Sequence, residues 1–103
     1  MAPSQLQIKV NALKRLMKEQ ALYKKEAESD AKRVEQAKEE GKDEYEIKKM
    51  NEVLQETQQM VPELNKKIQT TLNGLKDLLS SDIDEDTTAA KEVVQEAEQF
   101  LQN

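Results

Sequence analysis

The sequence predicts an all-α protein, an elongated antiparallel three-helix bundle with two long helices and one shorter C-terminal helix. The main observation is a run of ten positions that alternate spacings of three and four residues without a break. These positions are Ile47, Met50, Leu54, Thr57, Val61, Leu64, Ile68, Thr71, Leu75 and Leu78. Because nearly all of them are apolar, the pattern indicates one long helix whose face is buried against another helix.

The composition supports the same fold class. The chain has 103 residues, of which 36% are hydrophobic and 36% are charged, whereas an average soluble domain has about 45–50% apolar residues. Narrow helix–helix interfaces with broad solvated faces fit this balance better than one compact core. Disorder is the alternative for so highly charged a chain, but a disordered segment needs no periodicity.

The composition also excludes several classes of function. The chain has no Cys and no His, so it lacks thiols and the commonest general base and metal ligand. Its carboxylates lie on open helices and its two glycines are far apart, so we predict no enzyme, no cofactor and no metal site. The net charge of −5 disfavours nucleic acid as a partner. With no membrane-length apolar run and no signal-like N-terminus, we expect no membrane partner and a cytoplasmic protein.

Helix 1 is predicted at about residues 4–40. Ser4 and Gln7 form a candidate capping box at its start, and Gly41 is a strong stop signal. Gln20 and Lys24 fall at interface positions among apolar residues, where polar side chains either set the register between helices or extend past the end of helix 3 into solvent. The side chains of the predicted helix 1 interface are mostly large in its first half and mostly small in its second half. They are Leu6, Val10, Leu13, Leu16, Met17, Tyr23, Ala27, Ala31, Val34 and Ala37.

Helix 2 is predicted at about residues 44–79, opened by a capping box of Asp43 and Glu46. The short connection after helix 1 favours an antiparallel hairpin. Pro62 removes a backbone hydrogen bond, so it either separates two helices or kinks one. Since the apolar period passes through Pro62 unchanged, we favour one helix, kinked near Pro62, whose curved face could wrap a globular partner.

Helix 3 is predicted at about residues 85–101, after an acidic connector whose charges suit a helix N-terminus. Being short and antiparallel to helix 2, it should lie beside the large residues that begin helix 1. We therefore predict one single three-helix domain over residues 1–103, with three helices at one end and a two-helix tip near Gly41.

Three sets of residues are candidates for partner binding. Lys14, Lys18 and Lys25 share a helix face beside Arg15. This basic face is either a docking patch for an acidic protein surface or an ordinary solvated face. A row of uncharged residues flanks the helix 2 interface and can lose water easily against a partner; it comprises Asn51, Gln55, Gln58, Pro62, Asn65 and Gln69. Tyr23 and Tyr45 are candidate interface anchors, although packing across the hairpin is the role we favour for each.

Several separated segments match one known family in order and spacing. They are Met1-Ala2-Pro3-Ser4-Gln5-Leu6-Gln7-Ile8-Lys9-Val10, Leu13-Lys14-Arg15-Leu16, Tyr23-Lys24-Lys25-Glu26-Ala27, Tyr45-Glu46-Ile47-Lys48-Lys49, Val53-Leu54-Gln55-Glu56 and Met60-Val61-Pro62. Over about residues 1–79 the chain resembles the tubulin-binding cofactor A family, also called tubulin-specific chaperone A. The last quarter matches only in being acidic and helical.

The resemblance implies a three-helix cytosolic chaperone, associated with the cytoskeleton, that binds β-tubulin and holds it before α/β heterodimer assembly. It implies no catalysis and no nucleotide or metal, and it makes other tubulin-folding cofactors further candidate partners. The exposed residues of the matching segments give a predicted partner-binding set, comprising Lys14, Arg15, Lys18, Tyr23, Lys25, Tyr45, Lys48, Lys49, Gln55, Gln58, Pro62 and Asn65. The alternative from another class is a general helical-hairpin scaffold that pairs with another helical protein or with itself, as a monomer or a homodimer.

Overall fold

The computed structural model describes residues 3–102 and contains three helices, α1 (Gln5–Glu39), α2 (Glu44–Ser80) and α3 (Thr88–Gln102). The all-α prediction is confirmed. The chain divides into two compact units: unit 1 comprises Met1–Glu19 and Leu64–Asn103, and unit 2 comprises Gln20–Glu63. Parts of α1 and α2 belong to each unit, whereas α3 belongs only to unit 1. Over residues 3–102, none of the helices has an apolar stretch that could cross a bilayer.

The start of α1 has the predicted capping box. The Gln7 backbone N–H donates to the Ser4 hydroxyl oxygen at 3.1 Å, and the Ser4 backbone N–H donates to the Gln7 side-chain carbonyl oxygen at 3.2 Å. The Ser4 hydroxyl itself donates to a Glu85 carboxylate oxygen at 2.9 Å. One residue therefore caps α1 and holds the connector that precedes α3.

Gly41 ends α1 as the sequence predicts. Its φ is +70°, and its N–H donates to the Lys38 carbonyl at 3.2 Å while the Lys42 N–H donates to the Ala37 carbonyl at 3.0 Å. These two bonds form a Schellman motif, which needs a residue that adopts left-handed backbone without strain. The first bond of α2 follows at once, from the Ile47 N–H to the Asp43 carbonyl at 3.1 Å.

The core of unit 1 is built from large side chains of α1 and α2 and small ones of α3. Its buried residues are Leu6, Val10, Leu13, Leu16, Leu64, Ile68, Leu72, Leu75, Ala90, Val93 and Ala97. Leu72 lies outside the predicted interface stripe yet is only 1% exposed, whereas Thr71 and Leu78 are half-buried. In this unit α2 meets two helices, since the Lys9 side chain of α1 lies against Gly74 and Glu98 of α3 pairs with Lys76. A helix with two neighbours buries a wider stripe than the one line we predicted.

Unit 2 buries smaller and more polar residues between α1 and α2. They are Gln20, Ala27, Val34, Ala37 and Thr57. The Thr57 hydroxyl donates to the Val53 carbonyl at 3.0 Å and lies 3.5 Å from an Asp30 carboxylate oxygen. Gln20 is buried. Lys24 lies beside the α1–α2 interface, where it lines a groove between the two helices, and its flexible side chain is exposed.

α3 begins at Thr88, three residues later than the predicted start at residue 85. An Asp86 carboxylate oxygen accepts hydrogen bonds from the Thr88 N–H at 3.0 Å and the Thr88 hydroxyl at 2.7 Å. The Lys91 N–H then donates to the Thr87 carbonyl at 3.0 Å, as the first bond of the helix. The hydrogen bonds from the Thr88 backbone and side chain lower the pKa of Asp86. This local turn competes with helix at residues 85–87.

Substitution by alanine should change the free energy of unfolding in opposite directions at the two glycines. Gly74 lies inside α2, where a Cβ would meet only the flexible end of Lys9, 3.2 Å from Nζ. We expect Gly74→Ala to raise the free energy of unfolding by about 0.5–1 kcal/mol, because alanine favours helix. Gly41→Ala should lower it by about 1–2 kcal/mol, because of its positive φ. Urea unfolding followed by far-UV circular dichroism measures both; a destabilised Gly74→Ala variant contradicts the prediction.

The lowered pKa of Asp86 predicts that the stability of the fold depends on pH. Since its pKa is lowered in the folded state from an ordinary value of 3.8, the carboxylate stabilises the fold above about pH 4. That contribution should disappear as the pH falls through the lowered pKa. We expect Asp86→Ala to be less stable than the parent at pH 6, and we expect this difference to shrink as the pH falls below 3.8. Thermal unfolding at pH 6 and at a series of acidic pH values checks this, and a difference that does not change with pH is the contrary result.

Candidate protein-binding surfaces

Two open grooves, one in each unit, contain several of the predicted binding residues. The basic groove of unit 1 lies between α1 and α2 and is lined by Ala12, Arg15, Leu16, Glu19, Lys66, Lys67, Thr70 and Thr71. The apolar groove of unit 2 also lies between α1 and α2 and is lined by Lys24, Ala27, Glu28, Ala31, Gln58, Val61 and Pro62.

The basic groove has an apolar floor and charged walls. Leu16 is 8% exposed, whereas Arg15, Lys66 and Lys67 are exposed. The Arg15 Nε lies 3.8 Å from a Glu19 carboxylate oxygen, with 70% of the Arg15 side chain exposed. A pair this long and this solvated contributes little stability. The guanidinium therefore remains available to a partner.

The apolar groove is centred on Pro62. α2 runs through Pro62 as one helix, so a break at this residue is excluded. Since proline has no N–H, the Gln58 carbonyl receives no hydrogen bond from position 62. Val61 is half-buried and Pro62 is exposed, facing the small side chains of Ala27 and Ala31 across the groove. The groove thus combines apolar surface with polar groups that a partner can pair.

The structure places Arg15 in the basic groove and Gln58 and Pro62 in the apolar groove. Tyr23 and Asn65 are half-buried. The other predicted residues lie on exposed helix surface outside both grooves, namely Lys14 and Lys18 in unit 1 and Lys25, Tyr45, Lys48, Lys49 and Gln55 in unit 2.

Tyr45 does not pack across the hairpin, so the role we favoured for it is wrong. Its side chain is 64% exposed, and its ring lies 5.4 Å from the Lys49 Nζ, one helical turn away. Tyr45 is the second residue of α2, well before Thr57, the buried α2 residue of unit 2. The cation–π contact leaves this ring accessible on the surface.

The sequence analysis missed four residues of the basic groove. Lys66, Lys67, Thr70 and Thr71 line it, but Thr71 had been assigned to the buried interface and the other three to no site. The adjacent pair Lys66-Lys67 was the available signal. It could not be interpreted without knowing which α1 residues it faces, and that depends on the register between the helices.

Comparison with known proteins gives a consistent result. The family model described as "Tubulin binding cofactor A" matches residues 1–101. The tubulin-specific chaperone A of Saccharomyces cerevisiae is 38% identical, over 98% of this chain and 97% of its own length. The protein of the same name from Rattus norvegicus is 36% identical over 80 residues, which are 78% of this chain and 74% of its own.

Solved structures agree. A chain described as a "beta-tubulin binding post-chaperonin cofactor" superposes with a TM-score of 0.86 and 35% identity, over 97% of this chain and 100% of its own. The tubulin folding cofactor A of Arabidopsis thaliana superposes with a TM-score of 0.79 and 30% identity, over 91% and 92%. The similarity extends through α3, where we had seen only a general likeness.

Pro62 should make the fold less stable than an alanine at this position would. We expect Pro62→Ala to raise the free energy of unfolding by up to about 3 kcal/mol, because alanine restores the N–H to the Gln58 carbonyl and removes the ring. Urea unfolding measures the change, and Glu63→Ala, at the next exposed position of α2, should have an effect below about 0.5 kcal/mol. A lower free energy of unfolding for Pro62→Ala would contradict the prediction, because it would mean that Pro62 stabilises α2 despite its low helix propensity.

Proposed function

Because the chain belongs to the tubulin binding cofactor A family, we propose that it binds β-tubulin and holds it in the folding pathway before α/β heterodimer assembly. The observation that carries the proposal is the likeness, along 97% of the chain, to a solved β-tubulin binding post-chaperonin cofactor. Other tubulin-folding cofactors are further proposed partners. We place this activity in the cytoplasm, in association with the cytoskeleton.

The proposed mechanism is passive binding without catalysis. The candidate surfaces are open grooves and exposed helix faces, which suit contact with a folded protein better than the exclusion of water from a reacting group. A protein that binds β-tubulin alone lowers the concentration of free β-tubulin by mass action and needs no energy input. Residues 1–103 act in this proposal as one three-helix domain.

We infer that the binding surface draws on the predicted set. Its basic members in unit 1 are Lys14, Arg15 and Lys18, and its members in unit 2 are Tyr23, Lys25, Tyr45, Lys48, Lys49, Gln55, Gln58 and Pro62. Asn65 of unit 1 completes the set. The exposed lysines speed encounter with an acidic partner, whereas the tyrosines and the uncharged residues lose water more cheaply in the final contact.

Sedimentation of the purified chain with β-tubulin tests the function. We expect a complex with one copy of each protein and no complex with the assembled α/β heterodimer. Hydrogen exchange of the same complex should show protection on the outer surfaces of α1 and α2. A stable self-dimer that ignores tubulin favours the helical scaffold instead, and protection confined to α3 contradicts the assigned residues.

Charge variants test the basic residues. We expect Lys14→Gln/Lys18→Gln to slow association with β-tubulin by about threefold to tenfold at low salt, because the cations steer an acidic partner. The difference should vanish near 1 M salt, where screening is nearly complete. Lys32→Gln/Lys42→Gln makes the same change in net charge outside the predicted set. Equal slowing in both variants, measured by stopped flow, means that total charge matters and these positions do not.

A further inference from the structure

The charges of unit 1 are segregated by helix. Its parts of α1 and α2, residues 3–19 and 64–79, carry seven basic residues against two acidic ones. Residues 80–102, which include α3, carry seven acidic residues against one basic one. The α1 and α2 parts of unit 1 are therefore strongly basic in an acidic chain.

The side-chain contacts of Glu98 in α3 and of Glu85 in the connector lie away from the basic groove. Glu98 of α3 pairs with Lys76 at 3.1 Å, and Glu85 accepts the Ser4 hydroxyl; neither Lys76 nor Ser4 lines the groove. Among residues 3–102, no carboxylate forms an ion pair with Lys66 or Lys67. Among the eight residues that line the groove, Glu19 is the one acid, and it contacts Arg15 through the long, solvated pair.

We propose that the basic groove binds an extended acidic peptide segment of a protein partner. Arg15 presents a planar fork that matches a carboxylate, and Lys66 and Lys67 supply point charges on the opposite wall. The Thr70 and Thr71 hydroxyls can donate to peptide carbonyls or accept from peptide N–H groups. Ala12 and Leu16 give the segment an apolar floor.

The dimensions of the groove suit a short stretch of peptide. From Ala12 to Glu19 the α1 wall rises about 10 Å, at about 1.5 Å per residue. An extended peptide advances about 3.3 Å per residue, so about three of its residues lie alongside this wall. The groove volume of about 640 Å³ lies within the range of known ligand sites.

The chemistry favours a peptide over nucleic acid. None of the eight lining residues is aromatic, so the groove offers no ring for the base stacking that holds single strands. A long polyanion would also meet the acidic remainder of a chain whose net charge is −5. A short acidic segment gains the local attraction and avoids most of that repulsion.

A labelled peptide of eight residues in which glutamate and glycine alternate tests the proposal by fluorescence anisotropy. We expect saturable binding that weakens with salt, and a loss of about fivefold to tenfold in affinity for Lys66→Gln/Lys67→Gln. Lys32→Gln/Lys42→Gln, with the same net charge, should change the affinity by less than twofold. Far-UV circular dichroism checks that both variants fold, which their exposed positions lead us to expect.

Several outcomes overturn the proposal. They are absence of binding by the parent chain, equal losses in the two double variants, and tighter binding of an eight-residue oligothymidylate than of the peptide. Sedimentation adds another: a parent dimer that Lys66→Gln/Lys67→Gln dissociates identifies the occupant as a second copy of this chain.

The inference rests on the proposed function in one respect, because it assumes a protein partner, but the two fail separately. If the parent chain binds β-tubulin but Lys66→Gln/Lys67→Gln loses no more affinity for the acidic peptide than Lys32→Gln/Lys42→Gln does, the groove proposal is wrong and the function stands. If the parent chain binds the acidic peptide in the groove and does not bind β-tubulin, the function is wrong and the groove proposal stands.

Discussion

The burial of side chains along α2 is the constraint on which the rest of the structure depends. In unit 1, α2 has two helical neighbours, and Leu64, Ile68, Leu72 and Leu75 are almost completely buried. In unit 2, α2 has only α1 beside it, and the one α2 residue that is buried there is Thr57. The size of the side chains thus matches the number of helices available to cover them.

This constraint also decides where binding surfaces can form. Two helices side by side cover large apolar side chains incompletely, so Val61, Leu54 and Met50 of unit 2 stay half-buried. Val61 lines the open apolar groove. In unit 1 the third helix supplies burial while bringing its acidic residues to its own side of the unit. Each unit therefore offers open surface of a different character, apolar in one and basic in the other, which suits binding rather than catalysis.

Much of the fold could be predicted from the sequence because its signals are local. The apolar period, the Ser4–Gln7 capping box and Gly41 are each legible within a few residues, and the structure contains all three. The start of α3 was missed because the Asp86 turn competes with helix there. The basic groove was missed for a different reason. It is lined by residues of both α1 and α2, and no local sequence pattern predicts the register between these two helices. Tyr45 was misassigned because amphipathic rings suit surface and interior alike.

The aromatic residues have a practical consequence for spectroscopy. The chain has no Trp, and both of its tyrosines lie in unit 2, one half-buried and one beside the Lys49 ammonium. Unit 1 has only Phe100. Intrinsic tyrosine emission thus reports on one unit and is silent about the other. A melting curve recorded by fluorescence alone would follow half of the molecule, and its midpoint would represent the whole chain only if both units melt together.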